Sequence, residues 1–77
     1  MEKFDLEIVQ RLYNAMNIPY SEEIATNDYV TFTLSENVGR DGQNYYWYMD
    51  TKNCMAINKV TGELISESQI EELFWKE

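Results

Sequence analysis

Residues 44–58 read NYYWYMDTKNCMAIN, two short apolar stretches on either side of the polar tetrad Asp-Thr-Lys-Asn. The first stretch is mostly aromatic and the second mixes Cys, Met, Ala and Ile, and both compositions suit a pleated strand. The tetrad opens with Asp and closes with Asn, residues that favour turns. We therefore predict strands at 44–50 and 54–58, joined as an antiparallel pair.

The flanking sequence extends this pair in both directions. Residues 29–35 alternate between two sets of side chains, which predicts a first strand, and the following loop contains Gly39 and Gly42. On the other side, Gly62 suits a type I turn with a glycine bulge, and a last short strand is predicted at 63–65. The sequence thus predicts an antiparallel meander of three to four strands.

Helices are predicted at both ends of the chain. Apolar residues recur at helical spacing through residues 5–17, and Pro19 ends the pattern. Ser66 and Gln69 form a capping-box pattern, which predicts a helix over residues 67–75. The predicted order is therefore α-β-β-β-β-α.

A meander with an apolar face has to be covered, and the two terminal helices are the elements available to cover it. The connector at residues 20–28 is predicted to contain one short helical turn. We expect a single α+β domain spanning residues 1–77, a two-layer sandwich in which both helices pack on the same sheet face.

The register of the second strand is left open by the sequence. In one register the aromatic residues Tyr45 and Trp47 join Phe32 under the helices, and slipping the strand by one residue turns them outward. The face that no helix covers would carry, in the first register, Tyr29, Thr31, Thr33, Tyr46, Tyr48 and Ala56.

The chain is strongly acidic, with 6 Lys and Arg against 14 Asp and Glu and a net charge of −8. Residues 1–28 carry six acids and two bases, residues 29–62 carry three of each, and residues 63–77 carry five acids and one base. The net charge therefore belongs to the helical ends of the chain. We expect no direct binding of nucleic acid, because a polyanion would be repelled.

Catalytic, metal-binding and cofactor-binding constellations are not expected. The chain has no His, and its single cysteine, Cys54, has no CxxC partner. A calcium-loop pattern starts at Asn37, but its twelfth position is Tyr48 in place of the bidentate Glu. We expect a non-enzymatic, cytoplasmic protein without a signal peptide or membrane span.

Two functional hypotheses follow. The first is an interaction protein, such as an inhibitor, immunity protein or nucleic-acid mimic, that blocks a basic surface of a partner protein. Its candidate contact residues are Glu63, Glu67, Glu71, Glu72, Glu22 and Glu23. The alternative is a homodimer formed through the tyrosine-rich sheet face at Tyr29, Tyr46 and Tyr48. Charges that only keep a small protein in solution explain the same composition.

Overall fold

The computed structural model describes residues 5–75, which form a four-stranded sheet with helices on both faces. The strands are antiparallel neighbours in the order β1-β2-β3-β4. The elements in chain order are α1 (Leu6–Ala15), α2 (Glu22–Val30), β1 (Leu34–Val38), β2 (Asn44–Met49), β3 (Cys54–Asn58), β4 (Leu64–Ile65), α3 (Glu67–Ile70) and a π-helical segment (Glu71–Trp75). We call α3 and the π-helical segment together the C-terminal helix. The predicted α+β class and antiparallel meander are confirmed.

The first sheet face is covered by α1 and α2, which we call the N-terminal layer. Asp5 caps α1 by accepting the Ile8 amide through Oδ1 at 3.3 Å. The buried stripe of α1 then packs on the sheet, because its apolar residues recur every three to four positions. This core contains Ile8, Val9, Leu12, Tyr13, Ala25, Leu34, Tyr46, Tyr48 and Ile57.

The second sheet face is covered by the C-terminal helix. Its core is smaller and consists of Tyr45, Ala56, Ile65 and Ile70, with Trp47, Cys54, Leu73 and Phe74 partly buried around them. The β1–β2 hairpin holds the end of this helix, since the Arg40 amide donates to the Leu73 carbonyl at 3.0 Å. The predicted two-layer arrangement, with both helical ends on one face, is therefore replaced by helices on the two opposite faces.

The largest local difference from the sequence prediction lies between residues 20 and 35. In place of one helical turn followed by a strand at 29–35, α2 runs to Val30 and β1 begins only at Leu34. Ser21 caps α2 by accepting the Ile24 amide at 3.1 Å. Ala25 is the one fully buried residue of α2, so the helix has no apolar stripe that would reveal its period.

The strand register follows from which side chains enter which core. Tyr46 and Tyr48 enter the N-terminal core, and Tyr45 and Trp47 pack under the C-terminal helix. Both sheet faces of β2 are thus covered, as a continuous apolar run implies. The prediction of an aromatic face that no helix covers is wrong. Phe32, predicted to be buried, is 84% exposed.

Candidate functional site

Four of the six predicted contact residues lie on the C-terminal side of the molecule. Glu67, Glu71 and Glu72 are on the C-terminal helix, and Glu63 comes just before β4. All four are exposed. Glu67 and Glu71 are one helical turn apart, so their carboxylates project from neighbouring positions of one helix surface. We call Glu63, Glu67, Glu71 and Glu72 the C-terminal acidic group.

The backbone of this helix is fixed at both ends of the described segment. At its start, the Ser66 amide donates to Oε1 of Gln69 at 2.9 Å, which is the reciprocal bond of the predicted capping box. At its end, Arg40 Nη1 lies 3.5 Å from the Glu72 carbonyl oxygen, where a cation complements the helix dipole. The carboxylates therefore project from a segment with defined geometry.

The Cys54 thiol lies close enough to the C-terminal acidic group for two of its charges to affect the thiol pKa. Burial raises the pKa of the Cys54 thiol, and the charges of Glu67 and Glu71 raise it further. A thiol with a raised pKa stays protonated at neutral pH and is a weak nucleophile. The residue is half-buried beside the C-terminal core, so its environment is that of a packing residue.

The other two predicted contact residues lie on the opposite side of the sheet. Glu22 and Glu23 are exposed in the first turn of α2, where the helix dipole favours negative charge. With Thr26, Asn27 and Val30 they line a shallow groove of about 570 Å³. Since α2 and the C-terminal helix cover opposite sheet faces, the six residues form two separate groups, and the expectation of one acidic helical surface is wrong.

The residues of the alternative interface are mostly inside the protein. Tyr46 is 1% exposed and Tyr48 8% exposed, while Tyr29 is partly buried against the N-terminal core. The Tyr46 hydroxyl accepts the Asp5 amide at 2.9 Å, and the Tyr48 hydroxyl donates to Asp50 at 2.9 Å. These tyrosines stabilise the fold, and within residues 5–75 they do not form an uncovered tyrosine-rich sheet face.

Three aspartates accept hydrogen bonds from tyrosine hydroxyl groups. The Tyr13 hydroxyl donates to Asp28 at 2.7 Å, the Tyr45 hydroxyl to Asp41 at 2.7 Å and the Tyr48 hydroxyl to Asp50 at 2.9 Å. Hydrogen bonds from Tyr45 and from the backbone lower the pKa of Asp41. Asp41 also accepts the Gln43 amide at 3.1 Å, a local hydrogen bond typical of an aspartate in a turn.

The described residues contain no group of three or more His, Cys, Asp or Glu side chains that could hold a metal ion. Within residues 5–75 no helix is long and apolar enough to cross a membrane. Comparison of the chain with protein-family models, curated proteins and solved structures finds no match.

Proposed function

We propose that this chain is a non-enzymatic interaction protein that binds a basic surface of a partner protein through its C-terminal acidic group. The observation that carries the proposal is that the carboxylates of Glu67 and Glu71 are not neutralised by a cation within residues 5–75. Both are exposed, one turn apart, and form no ion pair with a cation within residues 5–75. Unpaired carboxylates in a row attract a cationic surface and accelerate association.

The C-terminal group is preferred over Glu22 and Glu23 because it gathers more carboxylates on a helix that is fixed at both ends. A row of carboxylates on a helix can imitate the phosphates of a nucleic acid, so a nucleic-acid-binding protein is a suitable target class. In this proposal the protein acts as an inhibitor, immunity protein or nucleic-acid mimic in the cytoplasm. Its single free cysteine fits a reducing compartment.

The proposal is tested with two charge reversals of equal size on opposite faces. E67K/E71K alters the proposed surface, and E22K/E23K makes the same change in net charge on the far side. Each pair includes a residue in the first turn of a helix, so both variants lose favourable dipole interactions. Wild type and both variants are used as baits in a lysate of the native host, and captured proteins are quantified by mass spectrometry.

The affinity of the strongest wild-type capture is then measured with purified proteins at two salt concentrations. We expect E67K/E71K to weaken binding by about 100-fold and E22K/E23K by less than about 5-fold, with wild-type binding falling as salt rises. Equal losses in the two variants would mean that net charge alone drives capture. Unchanged binding in E67K/E71K would assign the acidic residues to solubility.

A further inference from the structure

The outer edge of β1 carries unpaired backbone groups. The Met49 amide donates to the Thr33 carbonyl, and the Gly39 amide donates to the Gln43 carbonyl. Because hydrogen-bonded pairs alternate along an antiparallel ladder, Ser35 and Asn37 are also bonded to β2. The N–H and C=O groups of the alternate residues Leu34, Glu36 and Val38 therefore point away from β2. No described residue accepts from or donates to these groups across the free edge.

This edge lacks two of the usual features that prevent strand pairing. Sheets commonly protect an edge strand with Lys, Pro or an inward-pointing charge, and β1 has neither Lys nor Pro. Its one charge, Glu36, lies 2.6 Å from Lys59 Nζ, so the charge is compensated within the same chain. A strand that approaches this edge therefore meets no net charge at its centre.

A cavity of about 200 Å³ lies beside the free edge. It is lined by Tyr29, Phe32, Leu34, Ser35 and Glu36. These residues come from the end of α2, the α2–β1 connection and the edge strand β1, and none belongs to β2.

Phe32 borders this cavity in an unusual backbone conformation. It is 84% exposed, and its φ of 66° lies in the left-handed region that favours glycine. Its amide donates to the Tyr29 carbonyl at 3.3 Å, so it takes the position after the end of α2 that glycine usually fills. A bulky aromatic residue kept exposed in a strained conformation is a feature that is concentrated at binding sites.

We propose that a second copy of this chain pairs its β1 with this edge, antiparallel and about a two-fold axis at Glu36. In this register Leu34 of one copy lies opposite Val38 of the other, and Glu36 lies opposite itself. All outward N–H and C=O groups of the three residues then find partners, and the two sheets become one. Val38, which is 63% exposed, lies next to the cavity of the other copy and beside its Phe32.

A second copy fits this edge better than a basic segment of another protein. The three outward residues are placed symmetrically about Glu36. With a two-fold axis at Glu36, each outward N–H and C=O group of one copy therefore meets a complementary group of the other. The charge distribution agrees, because residues 29–62 have three acids and three bases while both remaining segments are acidic. Two copies therefore approach with least repulsion at the sheet. The inference does not use the acidic group, because it is argued from the outer edge of β1 whereas α3 packs on β3.

Sedimentation velocity on the full chain over a range of concentrations tests the dimer. Val38→Lys is compared with Val60→Lys, because Val60 is also an exposed valine but lies in the β3–β4 turn. We expect the wild-type and Val60→Lys chains to dimerise alike, and Val38→Lys to raise the dimer dissociation constant by at least about tenfold. Monomers at every concentration, or an unaffected Val38→Lys dimer, would overturn the proposal.

A cross-link tests the register. Residues facing each other in a hydrogen-bonded antiparallel pair have Cα atoms about 5.5 Å apart, within the range of a disulfide. Glu36→Cys and Val60→Cys are each made in a Cys54→Ser chain and exposed to mild oxidant. Random collision favours the more exposed Val60→Cys, whereas the two-fold pairing favours Glu36→Cys. Faster disulfide dimerisation of the Val60→Cys chain contradicts the proposed register.

Discussion

The two faces of the sheet are covered in different ways. Under α1 and α2, Leu12, Tyr13 and Tyr46 are almost fully buried, and the hydroxyls of both tyrosines are hydrogen-bonded. Under the C-terminal helix, Trp47 is only partly buried, and its indole Nε1 is enclosed without a hydrogen-bond partner in residues 5–75. The first face combines apolar burial with satisfied polar groups, and on the second face Trp47 lacks both full burial and a partner for its indole N–H within residues 5–75.

This difference indicates where the stability of the fold lies. Apolar burial and satisfied buried polar groups act together in the N-terminal layer, so substitutions there remove more stabilisation. The C-terminal layer depends on edge-to-face aromatic contacts, such as Trp47 with Phe74 at 4.5 Å between ring centroids. Substitutions in the C-terminal layer should therefore cost less stability than those in the N-terminal layer.

The largest expected contrast comes from the same substitution in the two layers. Leu12→Ala empties a fully buried position under α1 and should lower the free energy of unfolding by about 2–5 kcal/mol. Leu73→Ala removes a partly buried side chain of the C-terminal helix and should lower it by about 1 kcal/mol. Urea denaturation followed by circular dichroism measures both. Equal losses would remove the proposed asymmetry between the layers.

A smaller effect is expected from one hydroxyl of the N-terminal layer. Tyr13→Phe removes the 2.7 Å hydrogen bond to Asp28 from a fully buried ring and should lower the free energy of unfolding by about 1.5–3 kcal/mol. Tyr20→Phe is the control, because its hydroxyl donates to the neutral Leu6 carbonyl at 3.2 Å and should contribute about 0.5–1 kcal/mol. The same denaturation experiment decides, and the prediction fails if Tyr20→Phe is the more damaging change.

High pH should weaken the N-terminal layer through Tyr48. Burial and the hydrogen bond to Asp50 raise the pKa of Tyr48 to about 12 from 10.0. A group whose pKa is raised on folding stabilises the fold below its unfolded pKa, and that contribution disappears as pH rises toward the folded value. The free energy of unfolding should therefore fall between pH 10 and 12, and less steeply in Tyr48→Phe. Parallel pH profiles would show that Tyr48 makes no such contribution.

The sequence predicts the parts of this fold in which local signals agree with tertiary packing. The β2–β3 pair consists of two apolar runs joined by a turn that starts at Asp50. Because Asp50 accepts the Lys52 and Asn53 amides at 2.7 Å, the residue type that predicts the turn also stabilises it. Residues 20–35 are not predictable in this way, because α2 fully buries only Ala25 and has no apolar stripe. The alternation of side chains at 29–35 resembles a strand, but it spans the end of α2 and the start of β1. Their structure depends on the Ser21 cap and on packing against the rest of the chain.

The site was predictable in its composition but not in its arrangement. Exposure of Glu67 and Glu71 follows from their positions on an amphipathic helix. Which sheet face that helix covers depends on β2, where Tyr45 and Trp47 on one face mirror Tyr46 and Tyr48 on the other. Two equally apolar faces give the same pattern in either register, so only the three-dimensional structure separates the acidic groups.

The smallest effect is expected at the indole of the C-terminal layer. Trp47→Phe removes apolar contact with Phe74 and Trp75, which destabilises the fold. It also removes an N–H whose burial without a partner in residues 5–75 carries a desolvation penalty of about 1–3 kcal/mol. The two changes oppose each other, so the free energy of unfolding should stay within about 1 kcal/mol of the parent.

Tyr46→Phe is the comparison, because it deletes a single oxygen that accepts the Asp5 amide at 2.9 Å in the N-terminal layer. That smaller deletion leaves a donor without its acceptor and should lower the free energy of unfolding by about 0.5–1.5 kcal/mol. Removing more atoms from the C-terminal layer should therefore destabilise the fold no more than removing one from the N-terminal layer. A Trp47→Phe loss well above that of Tyr46→Phe would mean that the indole N–H is hydrogen-bonded in solution and that the two faces are equally well satisfied.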